Sequence, residues 1–174
     1  MNNINWNSVI KEIESVKGEV RTVGVDFYKN ANGQFDEIAN LWKEAGYDSH
    51  NVEWVNFYPG THFNSSVEQK FAAQVGLTPI RSWISCVRPG MSAPWHQDVD
   101  DNMLEYQQLG NLVRYTCHIT DPAHGQLMLI ENESFYMIPK GTVSKWPKYM
   151  AWHGASNCGF KNHYLYHFLG YENI

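Results

Sequence analysis

Eight histidines occur in the 174-residue chain, and six of them, at positions 96, 118, 124, 153, 163 and 167, fall in its second half. In the stretch RPGMSAPWHQDVDD, His96 and Asp98 stand two apart. An extended segment turns residues i and i+2 to the same face, so both side chains can reach one ion. The stretch WHGASNCG adds His153 near a strand end, with Asn157 four residues later. Two imidazoles and one carboxylate are the ligand set of a facial triad, which suits iron(II) and leaves three positions open. An HxD pair alone is common by chance. The second histidine, ending another strand in the apolar run Ala151-Trp152-His153, makes the set specific.

Such a set needs a rigid frame. Apolar spacing predicts helices over 7–16 (Val9, Ile10, Ile13, Val16), 35–46 (Phe35, Ile38, Leu41, Trp42) and 66–75 (Val67, Phe71, Ala72, Val75). After Leu77 the pattern changes to short apolar or alternating runs between Gly, Pro, Asn and Asp. Strands are expected at 52–58, 82–88, 112–119, 126–131, 134–138, 149–153 and 163–169. Many short strands with breakers between them indicate a sandwich or barrel. With no repeat or linker, 1–174 reads as a single domain. Its front, 1–80, is helical with a first strand, and 81–174 is the β-rich core that carries the metal-binding residues.

Residues 84–101, ISCVRPGMSAPWHQDVDD, and 149–159, YMAWHGASNCG, resemble the Fe(II)/2-oxoglutarate-dependent dioxygenases, in particular their aspartyl/asparaginyl β-hydroxylase-like branch. The similarity runs from Ile84 to Gly170, about half the chain. Cupin motifs are echoed by Gly90 and His96, and by Pro139-Lys140-Gly141 with His153 and Asn157. The resemblance implies a mainly β fold with helical support: a double-stranded β-helix (jelly roll, cupin-like) with the N-terminal helices packed on one sheet. It implies Fe(II) held by His96, Asp98 and His153, and 2-oxoglutarate as cosubstrate, decarboxylated to succinate and CO2 as a C–H bond is hydroxylated. Thr116 and Asn157 would orient the imidazoles. The family's usual Arg, about ten positions after the distal His, is replaced here by His163, with Lys161 nearby. Arg114 and His118, on one strand face, are then the first-choice carboxylate partners, supported by His163. An imidazole grips a carboxylate less firmly than a guanidinium does. Arg88, before the Pro-Gly turn, is the candidate substrate contact.

Composition narrows the partners. The formal charge is −5 and no two Lys or Arg are adjacent, which argues against nucleic acid and against a membrane surface. The expected substrate is an amino acid, a peptide side chain or a small metabolite; oligomeric state is left open. MNNINWNSVIKEIE does not read as a secretory signal, and Cys86, Cys117 and Cys158 are widely spaced, so a cytoplasmic protein with free thiols is expected. Cys117 and Cys158 read as small apolar fillers and His124 as a solvated loop residue. Asp98 to Asp101 lacks the Gly and Glu of a calcium loop. Aromatic residues, 14% of the chain, are expected to wall the metal site. Trp95 and Trp152 adjoin the ligands in sequence, but alternation turns them outward into packing between sheet and helices. Two alternatives stand beside the oxygenase: a cupin-type enzyme using another divalent metal without 2-oxoglutarate, and a non-catalytic cupin-like binding protein.

Overall fold

The computed structural model describes residues 4–23, 34–98 and 103–172. Helix α1 (Trp6–Glu14) starts at Asn5, whose side chain accepts the Ser8 amide. Its face of Trp6, Val9 and Ile13 is buried. Helix α3 (Ser66–Val75) ends at left-handed Gly76 and buries Val67, Phe71 and Ala72. Helix α2 (Gln34–Glu44) and the short α4 (Met103–Leu109) complete the helices among the described residues. Two expectations fail at these helices. Val16 lies beyond the end of α1 and is exposed, and Leu41 on α2 is half exposed while Ile38 and Trp42 are buried. The side chain of Phe35 and residues 99–101 lie outside the described set.

Ten strands follow: β1 (Glu19–Thr22), β2 (Glu53–Phe57), β3 (Thr78–Val87), β4 (Ser92–His96), β5 (Asn111–His118), β6 (Gln126–Ile130), β7 (Glu133–Tyr136), β8 (Val143–Lys145), β9 (His153–Asn157) and β10 (His163–Glu172). They form one sheet in the order β1-β2-β3-β10-β5-β8 and another in the order β4-β9-β6-β7. Every pairing of these strands is antiparallel. From β3 onward the chain crosses repeatedly between the sheets, which is the path of a jelly roll. The protein is a mainly β, cupin-like double-stranded β-helix with a few short helices.

The larger sheet has two different faces. Ile84, Cys86, Cys117, Tyr164, Tyr166 and Phe168 pack under α1 and α3 in one apolar cluster. The face toward the smaller sheet carries Leu165, which packs with Met128 and Ile130 from β6 and with Trp146. Alternation places His163 and His167 beside Leu165 on that inner face. Helix α2 departs from the expected arrangement: it packs Ile38 and Trp42 on Val52, Trp54, Val87 and Ala93 in a separate cluster.

The strand expected at 149–153 also shifts. Tyr149 and Met150 lie in a turn, Ala151 and Trp152 follow without regular structure, and the strand begins at His153, where the run was expected to end. Its small residues suit a central strand between β4 and β6; a Cβ on Gly154 would lie 3.1 Å from Ala93 O. Strands β1, β4 and β8 were not foreseen. Beyond β9, Gly125 has φ +86, and a Cβ there would lie 2.4 Å from the Gly159 amide nitrogen. Gly46 has a similar φ, +80, with nothing within 4 Å. Gly46→Ala therefore costs only the left-handed strain, about 1 kcal/mol. Gly125→Ala must also move backbone and costs about 3 kcal/mol. Urea unfolding of both variants checks this, and equal losses would contradict it.

Candidate metal centre

His96 ends β4 and His153 begins β9, and these two residues are directly paired across the two strands. Their rings are 4.2 Å apart between centroids. Each ring is turned by its own backbone. His96 Nδ1 lies 2.6 Å from Pro94 O, and His153 Nδ1 lies 3.0 Å from Ala151 O. A carbonyl can only accept, so each Nδ1 carries a proton, and in a neutral ring the lone pair is then on Nε2. Both Nε2 atoms face Asp98: His96 Nε2 is 3.4 Å from Oδ1, and His153 Nε2 is 3.5 Å from Oδ2. One donor atom from each of the three residues lies within 4.8 Å of the others. The tautomers and the convergence both fit a divalent ion. Asn157 and Thr116, the sequence-based choices for orienting the rings, have other partners. Asn157 Nδ2 donates to Val87 O and Lys161 O, while its Oδ1 accepts from Gly159 N. Thr116 Oγ1 accepts from Trp146 Nε1 and shares a hydrogen bond with His167 Nδ1.

Arg114 is buried beneath the triad. Its Nη2 is 2.6 Å from Asp98 Oδ2, and its guanidinium carbon lies 3.6 Å from the Trp146 ring centroid and 5.0 Å from that of Trp83. Burial pushes the Asp98 carboxyl up, but Arg114 and the two imidazoles outweigh it and hold the group well below its usual range. His153 is held well below the ordinary imidazole value, first by burial and then by its neighbour His96. The ligand set thus offers a cation an ionised carboxylate at Asp98 and a neutral ring at His153.

The aromatic wall is built from residues the sequence did not single out. Trp54 stacks on His96 at 5.6 Å, Trp42 meets its edge at 5.8 Å, and Trp146 meets His153 at 4.6 Å. Trp95 and Trp152 stack on each other at 6.4 Å, and Trp95 is 40% exposed rather than packed under a helix. Glu131 is a further missed residue. At φ +50, it donates its amide to Trp152 O, and its carboxylate accepts the Trp152 amide and pairs with Lys148. This double clasp fixes the residue just before His153; nothing in the local sequence signals it.

The remaining candidates lie elsewhere. His118 and His163 are buried with ring centroids 6.3 Å apart, four residues along their strands from Arg114 and His167 respectively. That spacing is about 13 Å along a strand. Arg88 is exposed and pairs with Glu53 at 3.0 Å. Cys117 is buried as expected of a filler, whereas Cys158 is exposed. His124 is exposed, with Tyr136 Oη as a partner.

No protein-family model matches the chain, and no curated protein does. Solved structures share its course distantly. A viral collagen prolyl hydroxylase from Paramecium bursaria Chlorella virus-1, in complex with 2OG, is 12% identical over 92% of this chain and 99% of its own, with a TM-score of 0.46. A candidate sugar phosphate isomerase from Acidithiobacillus ferrooxidans is 14% identical over 93% and 72%, with a TM-score of 0.45. The cupin domain of Schizosaccharomyces pombe Cnp3 is 12% identical over 54% and 57%, with a TM-score of 0.38. At these identities no residue's role passes from one chain to another.

Two outcomes follow for metal-free protein. Asp98→Asn leaves the Arg114 charge buried without its partner and lowers the urea-derived stability by about 3 kcal/mol; no loss would show that the pair is unimportant. Burial also pushes His118 and His163 down to about 4. The unfolded imidazoles, near 6.5, therefore take up protons first. This contribution to stability is complete above about pH 6.5 and is lost as pH falls toward 4. Urea midpoints measured from pH 7 to pH 4 should fall steadily, and His118→Gln should flatten the slope.

Proposed function

We propose that the chain is a non-haem iron(II)- and 2-oxoglutarate-dependent dioxygenase that hydroxylates a C–H bond of an amino acid, peptide side chain or small metabolite. The observation that carries this reading is the meeting of His96 Nε2, His153 Nε2 and Asp98, with both Nδ1 protons fixed on backbone carbonyls. Two imidazoles and one carboxylate on one side leave positions for a chelating cosubstrate and O2. Iron(II) with 2-oxoglutarate supplies the oxidising power, releasing succinate and CO2.

The protein's part is to bind, orient and exclude water. The Pro94 and Ala151 carbonyls hold the two rings with Nε2 toward Asp98, where they would hold the ion. Arg114 pairs with Asp98 Oδ2 and so positions the carboxylate that would hold the ion. Trp42, Trp54 and Trp146 close the site against solvent. Arg114, which the resemblance makes a carboxylate partner with His118 and His163, is engaged with Asp98, and the two histidines lie about 13 Å or more along their strands from its level. A second reading uses the same triad with zinc or manganese and no 2-oxoglutarate. It is favoured by the engagement of Arg114 with Asp98, which leaves neutral imidazoles where the resembled family has a guanidinium.

Anaerobic titration with Fe(II) and then 2-oxoglutarate separates the two. Wild-type protein is expected to develop a visible charge-transfer band, and His153→Ala to develop none. Wild-type protein that binds iron without the band would overturn the oxygenase reading in favour of the second.

A further inference from the structure

The Ala151 carbonyl that aims His153 belongs to a peptide group whose other end is also engaged. Its C=O accepts from His153 Nδ1 at 3.0 Å, and its N–H, carried by Trp152, donates to Glu131 Oε1 at 3.0 Å. Glu131 lies one residue past Ile130, which pairs with His153 across β6 and β9. The Glu131 amide donates in turn to Trp152 O at 2.8 Å, so Glu131 holds Trp152 at both its amide and its carbonyl. The turn that permits both contacts puts Glu131 at φ +50, a region seldom occupied by residues other than glycine. Lys148 Nζ completes the row, 3.0 Å from the same Oε1.

The row runs from the Lys148 ammonium to the Glu131 carboxylate, the Ala151–Trp152 peptide and the His153 imidazole. It ends at the Nε2 that faces Asp98. A peptide group is planar and conjugated, so its two ends respond to each other. A negative charge at the N–H attracts that proton and leaves more electron density on the carbonyl oxygen. The oxygen then pulls harder on the His153 Nδ1 proton, and the ring gains basicity at Nε2. A carboxylate bonded directly to a ligating imidazole raises its basicity in the same way. Lys148, and then the Trp152 amide, hold the Glu131 carboxyl below its usual range, so it is ionised at pH 7. The direction of the His153 ring is still set within its own segment; Glu131 adds charge. His96 differs. Its carbonyl is that of Pro94, and among the described residues no carboxylate accepts from the Trp95 amide of that peptide.

We propose that Glu131 strengthens the hold of His153 on a divalent cation by acting through the Ala151–Trp152 peptide group, with Lys148 setting how much of its charge is passed on. The inference rests on His96, Asp98 and His153 forming a metal centre, and it needs neither 2-oxoglutarate nor one particular metal.

The test is titration of wild type, Glu131→Gln and Lys148→Met with Zn(II) at pH 7, together with proton NMR of the ring N–H groups in the metal-free proteins. Gln keeps an oxygen for the Trp152 amide but removes the charge, whereas Met removes only the ammonium. Glu131→Gln is expected to weaken Zn(II) binding about tenfold, and Lys148→Met to tighten it. In the metal-free proteins the His153 Nδ1 proton should move upfield in Glu131→Gln and downfield in Lys148→Met. The His96 Nδ1 proton should stay in place in both. If Glu131 merely ties down the turn, both variants weaken binding and the two shifts do not oppose each other; that result would overturn the proposal. Equal Zn(II) affinity in wild type and Glu131→Gln, with the His153 Nδ1 proton unmoved, would also overturn it and leave the metal centre standing. Wild-type protein that binds no Zn(II) would overturn the centre and the proposal together.

Discussion

A buried positive charge organises the interior of this barrel. Arg114 sits between the two sheets with its guanidinium against Trp146 and near Trp83, and its counter-charge is Asp98. Burying a guanidinium is costly unless a partner and suitable packing offset the lost hydration. Here the partner is the carboxylate of the ligand set. The indoles add a quadrupole attraction, and Trp146 also donates to Thr116, which in turn bonds His167. One charge therefore links β3, β5, β10, the 146 turn and the end of β4 into a continuous polar network. The network reaches the triad through Asp98.

That arrangement explains the two unlike faces of the larger sheet. Under α1 and α3 the packing is apolar and aromatic, and it supplies most of the cohesion. Between the sheets Met128, Ile130, Leu165 and Trp146 make one apolar layer. Other inner positions, Arg114, His118, His163 and His167 among them, carry polar or charged groups. Stability and chemistry thus occupy opposite sides of the same strands, and period-two alternation separates them.

The sequence made legible what depends on local geometry. His96 and Asp98 share a face because two residues of extended chain put them there, and Arg114, Thr116 and His118 align for the same reason. The jelly roll could be expected from strand density and the resemblance together. Long-range contacts were not legible. Nothing near Arg114 indicates that it meets Asp98, because their contact depends on how β5 docks against the residues after β4. Trp42 and Trp54 wall the site although they lie in the half of the chain that resembled nothing. The apolar run before His153 looked more like a strand than the Gly, Ala, Ser and Asn after it. Pairing with β4 and β6 overrode that propensity.

The rings of His96 and His153 are each aimed by the carbonyl two residues earlier in their own segment. Neither borrows a remote side chain for this purpose. Their aim is therefore written into two short stretches, 94–96 and 151–153, that carry it wherever they go. The rest of the chain need only keep β4 and β9 in step. Loops around the mouth are then free to be rebuilt for a different guest, and the grip on the ion would survive the renovation.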